Sequence, residues 1–179
     1  MSRTTLDPAR TALVVIDVQE AFRKAVPAFA QTARQTAVLV RGAHALGLPV
    51  IVTEQYPRGL GDTVPEVLET LQGEPRLEKR VFSAARAEGF DLQGRDQALV
   101  CGIEAHVCVS QTVLDLLAEG VEVHVAADAT ASRTEANHAA GMHRVEAAGA
   151  TLSTVEMALF ELVGSAAAPQ FKTIQGLIR

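Results

Sequence analysis

Cys108 stands where an apolar run gives way to helical spacing. The run is Gln97-Ala-Leu-Val-Cys-Gly-Ile103; Glu104-Ala-His-Val-Cys108 follows, with apolar residues recurring through Val107, Leu114 and Leu117. A thiol in the first turn of a helix faces unpaired backbone N–H groups and the positive end of the dipole, and both favour the reactive thiolate. Such a nucleophile needs a base for its proton, a cation beside it, and donors for the oxyanion of a tetrahedral intermediate. Asp17, closing the apolar run Ala12-Leu-Val-Val-Ile16, is the candidate base. Lys79, within Arg76-Leu-Glu-Lys-Arg-Val-Phe82, is the candidate cation. On a strand its neighbours Glu78 and Arg80 face the other way, so one lysine can point inward while they stay wet. Backbone N–H groups of the turn from Glu104 to Cys108 are candidate oxyanion donors. The competing readings are plain. A lone buried cysteine is a small hydrophobe, Asp17 is a capping residue, and Lys79 belongs to a solvated charge run.

The elements that would position these residues alternate from end to end. Apolar runs predict strands over Thr11–Asp17, Val50–Thr53, Leu77–Phe82, Gln97–Ile103, Val121–Ala127 and Ala150–Ser153. Helices are predicted over Ala28–Leu46, Val64–Leu71, Val107–Glu119, Thr134–Ala148 and Val155–Val163. Continuously apolar strands separated by helices indicate a parallel sheet covered on both faces. The expected fold class is α/β, a three-layer αβα sandwich on a six-stranded, mostly parallel, doubly wound sheet, as one domain over residues 1–179. Ligands in such sheets bind outside the carboxyl ends of the strands, where Asp17 and Cys108 fall. The tail Gly164–Arg179 is left open between docking on the body and docking on a partner subunit.

Bulk properties narrow the function. The chain has 179 residues, 48% hydrophobic and 21% charged, with formal net charge −5. Nucleic acid is not the expected partner, because phosphate binding wants a basic face. Two cysteines do not make a disulfide framework, nor do they make a structural zinc site. Met1-Ser-Arg-Thr-Thr-Leu-Asp-Pro8 lacks the apolar core of a signal peptide. No apolar run approaches the roughly 18 residues of a membrane span. A cytoplasmic protein with no membrane partner is expected.

Three blocks carry a resemblance. Asp17-Val-Gln-Glu-Ala-Phe22, Glu78-Lys79-Arg80-Val-Phe-Ser83 and Gly102-Ile-Glu-Ala-His-Val-Cys108-Val resemble the signature blocks of the isochorismatase-like cysteine hydrolases. The wording of Thr53–Gly61, Leu114–Leu117, Asp128–Arg133 and Pro169–Gln175 is similar to the isochorismatase-domain-containing branch, whose substrate is unsettled. The resemblance implies a catalytic triad of Asp17, Lys79 and Cys108. It also implies a cis peptide between Ile103 and Glu104, an oxyanion hole from the amides of Glu104 and Cys108, and a homo-oligomer, dimer or tetramer. Phe22, Gln55, Tyr56 and His106 are candidates for lining the substrate pocket. Where nicotinamidases carry a metal-binding Asp-x-His pattern, Glu54-Gln55-Tyr56-Pro57 has no histidine, so neither metal nor other cofactor is expected. Glu104 near the centre would oppose an anionic substrate unless its side chain turns away.

The expected activity is cysteine-dependent hydrolysis of a small molecule at a C–N, amide-type bond, through a thioester. A vinyl-ether hydrolase using Asp17 alone as acid and a non-catalytic ligand-binding or scaffold protein stay open. A thiol-redox protein ranks below them for want of a partner cysteine.

Overall fold

The structure, a computed structural model, describes residues 5–179; residues 1–4, half of the N-terminal segment read above for a signal peptide, lie outside them. The apolar runs become six strands: β1 (Thr11–Ile16), β2 (Val50–Gln55), β3 (Arg76–Lys79), β4 (Gln97–Ile103), β5 (Glu122–Ala131) and β6 (Thr151–Ser153). They lie in the order β3-β2-β1-β4-β5-β6, and every pairing is parallel.

The period-2 alternation of strands sorts their side chains into two layers. Leu13 and Val15 of β1, with Leu99, Cys101 and Ile103 of β4, face one apolar cluster. Ala12, Val14 and Ile16, with Ala98 and Val100, face the other. The first cluster is covered by α2 (Phe29–Leu46), α7 (Val155–Val163) and α8 (Phe171–Leu177). The second is covered by α5 (Ser110–Ala118) and α6 (Glu135–Ala147). Short helices α1 (Phe22–Ala25), α3 (Pro57–Leu60) and α4 (Pro65–Leu68) fill the remaining connections. Among the described residues no helix is long and apolar enough to cross a membrane.

Several boundaries differ from the sequence reading, three of them with consequences for the site or the sheet. β3 stops at Lys79 rather than Phe82, because the chain turns there to bring the Val81 and Phe82 carbonyls onto the lysine. The helix expected from Val107 starts at Ser110, after a wide π-type turn over Ala105–Val109. Cys108 therefore sits in that turn and not in the first turn of α5. β5 runs on to Ala131 through an irregularity in its pairing with β4 between Val100 and Gly102. The open question of the tail resolves towards the body. Ile174 is fully buried in the first cluster, and Phe171 packs 6.3 Å from Phe160, ring centre to ring centre.

Strand order reverses between β1 and β4, and the crevice outside their carboxyl ends is where an open α/β sheet places a ligand. Gly102 allows these two ends to lie side by side. Its φ is +124°, and a Cβ there would run into the backbone of Ile16.

Candidate active site

Asp17 is the residue immediately after β1. It has a left-handed backbone, φ +52°, which acidic and amide residues tolerate better than most. Its carboxylate is fully buried and anchored at both oxygens. Oδ1 accepts from the Thr53 hydroxyl at 2.7 Å, and Oδ2 accepts from Lys79 Nζ at 2.7 Å. Lys79 reaches inward from the edge strand, as expected, with Glu78 and Arg80 outside. Its Nζ also donates to Gln55 Oε1 at 2.7 Å and to the Phe82 carbonyl at 2.9 Å; Val81 O is farther, at 3.4 Å. The third group is the thiol of Cys108, buried in the second cluster, with Asp17 and Lys79 as its charged neighbours.

Burial dominates the electrostatics. It pushes the Asp17 carboxyl up, against the pull of Lys79 and of the Thr53 hydroxyl. It also pushes the Cys108 thiol up to about 12; the Asp17 charge adds to this, and Lys79 opposes it. This corrects the sequence reading, in which a helix start would acidify the thiol. Burial thus favours the neutral thiol over a standing thiolate beside the Asp17–Lys79 pair. Cys101, on β4, is fully buried and likewise pushed up to about 12, mainly by burial. Both cysteines are free thiols.

The turn that follows β4 is bound from several sides. The peptide between Ile103 and Glu104 is cis. The Glu104 carbonyl accepts from the N–H groups of Val107 and Val109, which closes the turn on which Cys108 rides. The Glu104 side chain turns to Arg133, where Oε1 accepts from the backbone N–H at 3.1 Å and from Nε at 2.8 Å. The carboxylate is thereby neutralised rather than aimed at a substrate. His106 Nδ1 lies 3.1 Å from the Ser132 hydroxyl.

The other candidates scatter. Gln55 is a partner of Lys79 and also donates to the Arg80 carbonyl. Tyr56 is 44% exposed, with the Arg80 guanidinium 5.1 Å from its ring centre. Tyr56 borders a cleft of about 280 Å³ lined also by Pro57, Arg58, Glu78, Lys79 and Arg80; Gln55, Asp17 and Cys108 are not among its lining residues. Phe22 packs against the apolar layer of the α2 face, whereas Cys108 belongs to the opposite layer. Sequence reasoning missed Thr53, Gln19, Ser132 and Arg133. Gln19 is fully buried and clasps the chain after β2: its side chain donates to the carbonyls of Gln55 and Gly61 and accepts from the Gln55 N–H. A polar residue ending the apolar run of β2, as Thr53 does, was the available signal.

Among the described residues no group of three or more His, Cys, Asp or Glu side chains could hold a metal ion. Glu54 is engaged elsewhere. Its Oε1 accepts from the backbone and hydroxyl of Thr63, both at 2.7 Å, and lies 3.1 Å from Arg76 Nε.

Comparison with known proteins agrees with the fold. The chain is 42% identical over 175 residues to isochorismatase domain-containing protein 2 of Homo sapiens, covering 96% of this chain and 84% of that protein. The solved structure of MAR1 ribonuclease from Caenorhabditis elegans superposes with TM-score 0.92 at 39% identity, covering 97% of this chain and 92% of that one. YcaC from Pseudomonas aeruginosa, solved with hexane-2,5-diol and covalent acrylamide, superposes with TM-score 0.87 at 25% identity, over 99% and 93% of the two chains. Residues 11–157 match the isochorismatase domain, and with a parallel sheet of the same architecture, this chain belongs to the isochorismatase domain family.

Proposed function

We propose that the chain is a hydrolase of small molecules that cleaves an amide-type C–N bond through Cys108. The observation that carries this reading is the buried ion pair of Asp17 and Lys79 held against a buried thiol. In the free site burial keeps the thiol protonated. On substrate binding Asp17 takes the thiol proton, Lys79 balances the thiolate, and sulfur attacks the carbonyl carbon. The oxyanion forms at the amides of Glu104 and Cys108. The protonated Asp17 then gives its proton to the departing nitrogen, leaving a thioester and a free amine. Water loses a proton to Asp17 and attacks the thioester. The second intermediate expels the Cys108 thiolate, which takes the proton back, and the acid leaves. Neither metal nor other cofactor has a step in this scheme.

A vinyl-ether reading is supported by one observation: burial pushes the Asp17 carboxyl up, which suits a general acid. The two separate cleanly. A panel of small amides and ureides, and a panel of vinyl ethers, is assayed with wild type and Cys108→Ala. Amide turnover lost in Cys108→Ala supports the thioester route. Turnover of vinyl ethers only, unchanged in Cys108→Ala, makes Asp17 the sole catalytic group. No turnover by wild type on either panel leaves the ligand-binding reading. The ribonuclease name of the C. elegans neighbour is not favoured for this chain, whose net charge is −5. A homo-oligomer remains part of the proposal, with the exposed rim of Tyr56, Val81 and Phe82 as its surface.

A further inference from the structure

One continuous stretch of chain touches the turn before Cys108 at each successive residue. Ala131, the last residue of β5, pairs with Ile103. Ser132 Oγ meets His106 Nδ1 at 3.1 Å. Arg133 donates its backbone N–H and its Nε to the same oxygen of Glu104, at 3.1 and 2.8 Å. Two turns into α6 comes Gly141, buried against the same segment. A Cβ at this position would lie 2.8 Å from the Ala105 carbonyl carbon, 2.9 Å from its oxygen and 2.9 Å from the His106 nitrogen.

Glycine inside a helix costs about 1 kcal/mol relative to alanine, so the helix itself gains nothing from it. What it permits is backbone-to-backbone contact between α6 and the turn. The neighbouring atoms are main chain, which cannot rotate aside as a flexible side chain can. In the thioester scheme proposed above, the turn supplies the amides of Glu104 and Cys108, whose spacing must match one oxygen atom.

We propose that the stretch from Ala131 to Gly141 sets the geometry of the oxyanion turn, with Arg133 and Gly141 as positioning residues. Arg133 fixes Glu104 at one end, and Gly141 fixes Ala105 and His106 in the middle. Neither residue touches the reacting atoms. The inference rests on the thioester chemistry proposed above.

The test compares two reactions of Cys108. Acylation by p-nitrophenyl acetate passes through a tetrahedral oxyanion; alkylation by iodoacetamide is a direct displacement and develops none. Gly141→Ala, Arg133→Gln and Ser132→Ala are measured beside Gly176→Ala, a helical glycine whose added Cβ meets nothing within 4 Å. Loss of a whole oxyanion donor costs roughly 100- to 1000-fold, so a misaligned pair should slow acylation by about ten-fold or more. Alkylation should stay at the wild-type rate, and Gly176→Ala should change neither. If Gly141→Ala does not fold, Arg133→Gln, which alters a half-exposed side chain, carries the test. Acylation and alkylation that fall together, or acylation unchanged in Arg133→Gln and Gly141→Ala, would overturn the positioning role. Wild type not acylated at Cys108 would instead sink the thioester chemistry itself.

Discussion

Lys79 Nζ lies 2.7 Å from Asp17 Oδ2, and both side chains are wholly closed from solvent. Two strands bring them together, since β3 and β1 are separated in the sheet by β2. The pair is held by Thr53 on one side and by Gln55 and the Phe82 carbonyl on the other. Neither charge is therefore buried without a partner.

Breaking this pair should be more costly than removing it. Removing one partner of a buried ion pair costs roughly 3–5 kcal/mol, because the other charge stays buried alone. Lys79→Met should reach that range in urea denaturation, and the double change Asp17→Asn with Lys79→Met should recover part of the loss. A Lys79→Met protein as stable as wild type would show that the carboxyl is already neutral when folded.

The thiol chemistry has a definite pH signature. With the Cys108 thiol pushed up to about 12, iodoacetamide labelling at neutral pH should be slower than that of a free cysteine, and should still be rising above pH 9. Asp17→Asn removes a charge that raises the thiol and leaves Lys79, which lowers it. Labelling of Cys108 in that variant should therefore speed up at neutral pH while amide turnover disappears. Mass spectrometry after timed labelling reads both cysteines, with Cys101 labelled only on unfolding. A plateau for wild-type Cys108 below pH 8 would contradict the burial argument.

Gly102→Ala should be among the most damaging single changes. The new Cβ meets the Ile16 backbone, and φ +124° is unfavourable for any side chain. A loss well above the usual 0.5–3 kcal/mol, or no folded protein at all, is expected. Thermal unfolding close to wild type would mean that β1 and β4 can separate without harm.

The rim beside the site is apolar and open. Val81 is 45% and Phe82 51% exposed. Light scattering at micromolar concentration should give a mass above one chain, and Phe82→Glu should lower it, since adjacent exposed apolar side chains mark contact surfaces. A single-chain mass for wild type would remove the oligomer from the proposal.

The sequence by itself determined the layers and the chemistry on offer. Short apolar runs such as Ala12–Ile16 and Ala98–Ile103, set between helical patterns, fit strands buried on both faces, so a parallel sheet with helices on either side followed from local patterning. The spacing of Asp17, Lys79 and Cys108 placed polar residues at or near strand ends, where a ligand crevice forms. The inward turn of Lys79 between exposed neighbours was legible too, because a strand alternates its side chains.

Tertiary structure alone decided the state of the thiol and the support of its turn. The protonation of Cys108 depends on how completely the second layer excludes water and on a carboxylate from another strand, and neither is a property of the local sequence. The helix signal at Val107 gave way to a π-type turn over Ala105–Val109, whose backbone at Ala105 and His106 packs against Gly141 of α6. Thr53, Arg133 and Gly141 were assigned no individual role from the sequence, and they matter through what folding sets beside them: an Asp17 oxygen, a Glu104 oxygen and the backbone at Ala105. Local patterning reports which residues leave water, whereas hydrogen-bond partners and close backbone contacts between distant segments exist only after the sheet has assembled.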